Sequence, residues 1–333
     1  MRTVVTVLAL VFLGCPGLPT VAWVDPRAPA PAHGGAAQDA GPRPDAGNGV
    51  GPTCFPEIWH PELINPEYDP FHPRVGSHCL GTNHQDIRDV ERLVFLGDSV
   101  TAGTPPTLPA QLYRARVTEG LRARFGAGLE VSDCSRVGAR SRDFFSGDNA
   151  QLPPCFPHAI DSRRTLVVFT MGGNDFADMT RAGSAGAPMS EMRPQAEATV
   201  AAFEAALRWL KDPARFPSGS DVIFANIYEY TDGTGDVLSC PGARLLTITE
   251  RWPDGPEILL WTNSQLMRVA VETGADLLFL QETFCGHGFH NTDSAARCYR
   301  GPGTERWFDL TCIHPTPTGH GVLADMFLAV VDE

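Results

Sequence analysis

The chain has 333 residues, 43% of them hydrophobic, enough to bury a core in one large domain or two small ones. A formal charge of -13 and a pI near 5.2 exclude a nucleic-acid partner, which needs clustered positive charge. Lysine occurs once, at Lys211, and every other basic residue is arginine.

The chain opens MRTVVTVLALVFLGCPG, where one positive charge precedes an apolar stretch from Val4 to Leu13. This reads as a secretory signal over residues 1–22, too short to span a bilayer stably. Two endings fit. Phe12-Leu13-Gly14-Cys15 is like a bacterial lipobox, which makes Cys15 the lipidation site, whereas Thr20-Val21-Ala22 suits ordinary signal-peptide cleavage. Nine cysteines are an odd count for an exported protein. Setting Cys15 aside leaves Cys54, Cys79, Cys134, Cys155, Cys240, Cys285, Cys298 and Cys312, an even set for an oxidising compartment, and loss of Cys15 with a cleaved signal gives the same parity. The expected location is therefore outside the cytoplasm, as an outer-membrane or cell-surface lipoprotein or a freely secreted protein.

Residues 23–53 are Pro, Ala, Gly and Asp with almost no large apolar side chain, the composition of a disordered tether. Residues 54–90 hold Cys54, Cys79, several prolines and little periodicity, and read as a disulfide-stapled N-terminal flap. Residues 91–333 read as the main domain. Arg92–Leu96 is an apolar strand, Leu108–Phe125 is helix-like and Leu129–Ser132 is a second strand. Thr165–Met171, TLVVFTM, is a β-branched run of the kind buried on both faces of a parallel sheet. A helix over Met192–Leu210, a strand over Val222–Ile227, a helix over Pro256–Thr273, a strand over Asp276–Gln281 and a last helix from about Thr318 follow. Strands alternating with helices predict a doubly wound α/β sheet of about five strands, whose ligands sit beyond the carboxyl ends of the strands.

Four polar clusters fall at such ends. The first is FLGDSVTAG, in which Ser99 closes the first strand. The second is CSRVGARS, which puts Gly138 in the loop after the second strand, where backbone N–H can donate to an oxyanion. The third, MGGND, offers the Asn174 amide after the third strand. The fourth, DLTCIHPTPTGH, places His314 just before the terminal helix. Taken singly, each reads as well as a turn or a solvated residue. Together they supply a nucleophile, the base that a serine hydroxyl needs at neutral pH, and three donors for a tetrahedral intermediate.

With these blocks the chain resembles the SGNH (GDSL) hydrolases. Ser99 in GDSVTAG, Gly138 in SRVGA, Asn174 in GGND and His314 in CIHPTPTGH match the family's four blocks, over roughly residues 92–331. The resemblance implies a three-layer, flavodoxin-like α/β/α fold and ester hydrolysis through an acyl-serine, with no cofactor and no metal. It departs from the family at one place. The aspartate usual three residues before the histidine is here Thr311, while Asp309 lies five residues before, about 16 Å away in extended chain. Asp309 reaches the ring only if the loop doubles back, for which a disulfide at Cys312 is one means; otherwise a backbone carbonyl orients the imidazole.

The segment from Thr283 to Asp309, with Cys285, His287, Phe289, His290, Cys298 and Trp307, reads as a stapled loop forming one wall of the acyl pocket. Its substrate-binding candidates are Phe289 and Trp307, joined by Tyr228 from NIYEYTDGTGD. His287 and His290 lack carboxylate or cysteine partners for a metal. Connectivity is not deducible from eight cysteines, but proximity suggests Cys54–Cys79, Cys134–Cys155 and Cys285–Cys298, leaving Cys240–Cys312. The resulting expectation is an exported monomeric serine esterase acting on a lipid or an acylated carbohydrate, with possible membrane anchoring through Cys15. The competing reading is a non-catalytic surface lipoprotein of the same fold that binds glycan or lipid.

Overall fold

The computed structural model describes residues 49–333 apart from residue 247 and the side chains of residues 245 and 246. The signal segment, Cys15 and residues 23–48 of the tether lie outside the described residues. Five strands, β1 (Arg92–Gly97), β2 (Glu130–Asp133), β3 (Thr165–Thr170), β4 (Ser220–Ala225) and β5 (Asp276–Leu278), pair in parallel in the order β2-β1-β3-β4-β5. Strands β1, β3 and β4 are buried along their whole length, which their continuous apolar sequence requires. Alternate residues serve opposite faces. Val94, Leu96, Val167, Phe169, Val222 and Phe224 pack with Phe203, Leu207, Leu266 and Met267 of the helices Met189–Leu210 and Gly255–Thr273. Leu93, Phe95, Leu166, Val168 and Ile223 pack with Val117, Leu121, Leu323 and Phe327 of the helices Tyr113–Phe125 and Pro317–Asp332. The result is a three-layer α/β/α sandwich. Its strand order reverses between β1 and β3, which makes the carboxyl ends of those strands the crevice for a ligand.

Three elements differ from the sequence expectation. The helix expected from Leu108 starts at Tyr113, because a 3-10 turn over Pro109–Gln111 ends in an extended Leu112 at φ -66°, ψ 144°. The strand expected to run to Gln281 stops at Leu278, and Leu280–Phe284 closes into a helical turn. A helix over Gly173–Ser184, not expected between the third strand and the helix at Met192, starts within the GGND block.

The segment 54–90 covers the edge of β5. Thr82 N donates to Leu277 O, Leu277 N to Thr82 Oγ1, and Phe279 N to Leu80 O, so the exposed ladder groups of the edge strand are spent. Phe55, Ile58 and Tyr68 from this segment are buried in the main core. Four disulfides tie the loops: Cys54–Cys79, Cys134–Cys155, Cys240–Cys312 and Cys285–Cys298, with Cα–Cα distances of 5.2, 5.9, 5.7 and 5.3 Å. Such a set belongs to an oxidising compartment, and the protein is accordingly an exported one. Among the described residues no helix is long and apolar enough to cross a membrane.

The end of β1 is held by a residue that the sequence did not single out. Gly97 has φ +128°, and a Cβ there would stand 2.3 Å from Thr170 O, so only glycine fits. The fully buried Gln151 side chain accepts from Gly97 N at 2.7 Å and donates to Gly97 O at 2.8 Å, where Arg136 N also donates. Gln151→Ala leaves Gly97 N buried without a partner, while Gly97 O keeps the bond from Arg136 N, at a cost of about 1–3 kcal/mol. Urea denaturation of that variant should show a loss of this size; a change below about 0.5 kcal/mol would mean that Gln151 does not hold the strand end.

Candidate active site

The apolar run of β1 ends at Gly97, and Asp98 then caps a short helical turn over Ser99–Ala102. Its Oδ1 accepts from Val100 N at 3.0 Å and from Thr170 Oγ1 at 3.2 Å. The cap leaves Ser99 at the first helical position, with an N–H that has no acceptor among the described residues. Burial pushes the Asp98 carboxyl up to about 7, against the hydrogen bonds it accepts.

The histidine arrives on a loop that folds back on itself. Phe308 and Pro315 form an antiparallel bridge, Asp309 N donates to His314 O at 2.9 Å, and Thr316 N donates to Trp307 O at 2.7 Å. At the tip, Cys312 sits in the left-handed region at φ +77° and is tied to Cys240. Tyr228 Oη donates to Ile313 O at 2.6 Å and fixes the other side of the loop. These restraints put His314 Nε2 2.8 Å from Ser99 Oγ. Burial lowers the His314 pKa below its usual 6.5, partly opposed by the negative charge of Asp309. The ring is therefore neutral at neutral pH, the form that accepts a proton from a hydroxyl.

Asp309, expected to orient the ring, does not touch it. The loop does double back, but the carboxylate turns onto its own chain: Oδ1 accepts from Thr311 N at 2.8 Å and from Thr311 Oγ1 at 2.5 Å. It is Thr311 Oγ1 that stands 2.7 Å from His314 Nδ1. A backbone carbonyl does not take that place. Thr311 was visible in the sequence as the residue at the family's aspartate position, but a hydroxyl there gives no charge to signal a role.

The loop carrying Gly138 is tied to β1 by Cys134 N to Phe95 O at 2.8 Å and Arg136 N to Gly97 O at 2.9 Å. Gly138 has φ +78° and open space where a Cβ would be, so the constraint there is backbone conformation. Its N–H, like that of Ser99, has no acceptor among the described residues. Asn174 Nδ2 donates to Ala139 O at 2.9 Å, which couples the Asn174 helix to the Gly138 loop and leaves a second amide proton. Asp175 fastens the same junction by accepting from Ser141 N at 2.9 Å and Ser141 Oγ at 2.7 Å.

Ser99 and Asn174 open on a cavity continuous with solvent and walled mainly by apolar side chains, among them Met171, Phe176, Ile248, Trp252 and Phe308. Tyr228 lines it; Phe289 and Trp307 do not. Asp232 explains the difference. Its carboxylate accepts from Gly286 N and Gly288 N, each at 2.8 Å, and from His290 N at 2.9 Å, which turns the stapled loop inward. Phe289 then packs edge-on against Tyr230 at 6.0 Å, and Trp307 stacks on His287 at 3.3 Å. His287 Nδ1 lies 2.7 Å from Glu305 O while His290 faces Asp236 and Asp293. Among the described residues no group of three or more His, Cys, Asp or Glu is placed to hold a metal ion.

A hydroxyl against a neutral imidazole, with the Ser99 and Asn174 side chains on the wall of an apolar cavity, is an arrangement that can activate a nucleophile toward a bound substrate. Residues 95–322 match the model of the GDSL-like lipase/acylhydrolase family, and the chain belongs to that family. Comparison with curated proteins returned no match. Among solved structures, the chain is similar to an acetyl xylan esterase from Geobacillus stearothermophilus (17% identity, TM-score 0.43, covering 73% of this chain and 97% of that one). It is similar also to a phospholipase A1 from Streptomyces albidoflavus (18% identity, TM-score 0.47, covering 73% and 98%). A third is an α/β hydrolase from the metagenome of Lake Arreo, Spain (20% identity, TM-score 0.43, covering 75% and 98%). The substrates in those names belong to those proteins.

Because the reactive form of His314 is neutral and its pKa lies below 6.5, kcat/KM for an ester should hold as pH falls to 6.5 and decline only below it. A pH–rate profile checks this; an acid limb near 7 would instead assign control to Asp98.

Proposed function

We propose that the protein is a serine carboxylic-ester hydrolase. Ser99 Oγ attacks the ester carbonyl as His314 Nε2 takes its proton. The carbonyl oxygen, negative in the tetrahedral intermediate, rests on the Ser99 and Gly138 N–H groups and the Asn174 amide. His314 then protonates the departing alcohol, and water attacks the acyl-serine by the same route in reverse. An oxyanion donor is worth roughly 3–4 kcal/mol of barrier. The observation that carries the reading is the 2.8 Å contact between His314 Nε2 and Ser99 Oγ at the edge of the cavity. It favours catalysis over the binding-only alternative, which has no use for a base against a buried hydroxyl.

Two features support a lipid ester over an acetylated carbohydrate. The cavity beside Ser99 is walled by side chains suited to an alkyl chain. The three most exposed large hydrophobics among the described residues are Leu310 at 66%, Leu108 at 62% and Val137 at 60%. Leu310 lies on the loop that carries His314 and Val137 adjoins Gly138, and exposed apolar side chains on such loops suit a lipid surface. Export through the N-terminal segment, attachment through a lipidated Cys15 and a monomeric state complete this proposal, with no cofactor required.

Ser99→Ala should abolish release of p-nitrophenol from acyl esters while keeping the wild-type circular dichroism spectrum; full activity in that variant would refute the assignment. With the wild-type protein, kcat/KM should rise from acetyl to hexanoyl or longer esters. A profile that peaks at acetyl would support the carbohydrate deacetylase reading instead.

A further inference from the structure

We propose that Thr311 and Asp309 act together as a two-residue positioning relay for His314, in place of a single carboxylate; the proposal rests on the ester-hydrolase reading. The chain of contacts runs from Asp309 Oδ1 to Thr311 Oγ1, from Thr311 Oγ1 to His314 Nδ1 at 2.7 Å, and from His314 Nε2 to Ser99 Oγ at 2.8 Å. A threonine hydroxyl has one proton to give. Facing an ionised carboxylate on one side and a ring nitrogen on the other, it donates to the carboxylate, where the bond is charge-assisted. Its lone pair is then what Nδ1 meets, so Nδ1 carries the proton and Nε2 is left bare toward Ser99. Without the carboxylate, the same hydroxyl is free to donate to Nδ1, which puts the ring proton on Nε2 and leaves the serine facing a donor. Asp309 thus sets the direction of the Thr311 hydroxyl, and through it the tautomer of the base.

The loop geometry keeps the carboxylate available for this task. Asp309 is partly buried, its Oδ2 has no hydrogen-bond partner among the described residues, and no ion pair from an arginine or lysine competes for it. Its backbone is locked to the histidine's own by Asp309 N to His314 O, and Cys312 N donates to Asp309 O at 3.2 Å. The Cys240–Cys312 link pins the residue next to Thr311, so the hydroxyl and the carboxylate move as one unit. When the imidazole is protonated during reaction, the Asp309 carboxylate stabilises the imidazolium through the intervening hydroxyl. Other titratable groups about the ring among the described residues are His320, which burial and the charges of His314 and Arg116 push down to about 4, Asp98 beside Ser99, and Tyr228, whose hydroxyl burial and the charges of Asp98 and Asp309 hold protonated; none bonds to the ring.

The test compares Thr311→Val, Thr311→Ser, Asp309→Asn, Thr311→Asp and the Thr311→Asp/Asp309→Asn double variant, by kcat/KM on p-nitrophenyl esters across pH. Thr311→Val should lose about 100-fold or more, within the range seen when a base is misoriented, and Thr311→Ser should recover to within about threefold of wild type. Asp309→Asn should lose at least about tenfold and move the acid limb to lower pH, since the charge that raises the His314 pKa is gone. Thr311→Asp puts a carboxylate directly on Nδ1 and should move that limb to higher pH. In that background Asp309→Asn should cost less than about threefold. Equal penalties for Asp309→Asn in both backgrounds, or an unmoved acid limb, would overturn the relay. So would wild-type kcat/KM in Thr311→Val, provided that Ser99→Ala is inactive; activity in Ser99→Ala would instead overturn the hydrolase reading beneath it.

Discussion

The hydrogen bond between Ser99 Oγ and His314 Nε2 joins residues 215 positions apart, and most of the described architecture bears on its 2.8 Å length. One end is fixed by the register of β1 on β3, which sets Gly97 opposite Thr170 and lets Asp98 cap the turn that begins with Ser99. The other end is fixed by a six-residue loop held by backbone pairing, by the Cys240–Cys312 link and by Tyr228. Neither partner is at the end of a flexible side chain. The Ser99 side chain sits on a buried turn and the ring is clamped from its Nδ1 side by Thr311. A catalytic pair of this kind depends on rigid supports, because small displacements of reacting groups cost large factors in rate.

Burial gives the site its electrostatic character. The protein carries a formal charge of -13, yet the cavity beside Ser99 is mainly apolar and the groups around it titrate away from their ordinary values. Desolvation lowers the pKa of His314 and raises that of Asp98, and both shifts favour the uncharged form. A neutral imidazole is a competent base, and an interior that excludes water strengthens any N–H aimed at an oxyanion. Asp309 supplies the one opposing influence on the ring.

Much of this was legible in the sequence, for reasons that differ by residue. Ser99 and Asn174 each follow a strand of continuous apolar character, recognisable from its composition alone, whereas Gly138 follows the largely polar β2 and was legible through its own block. The alternating order of strands and helices carried the three-layer fold. Thr311 was noted only as a departure, because a hydroxyl three residues before a histidine has no chemical signature of a role until a carboxylate is seen behind it. Phe289 was misplaced because its loop is drawn inward by Asp232, more than 50 residues earlier in the chain, through three backbone N–H groups, and Trp307 because it stacks on His287. Gln151, which closes the end of β1, was hidden for the same kind of reason: its two bonds span 54 residues. Short-range pattern reports elements; long-range polar contacts decide where their side chains point.

The central claim is that a single serine is activated by His314. Incubation with a fluorophosphonate, followed by peptide mapping and by the pH dependence of the labelling rate, tests it most directly. The account predicts one adduct, on Ser99, formed at a rate that falls as pH drops below 6.5 and collapses in His314→Ala. An adduct on another serine, or labelling of Ser99 at the same rate with and without the imidazole, would contradict it.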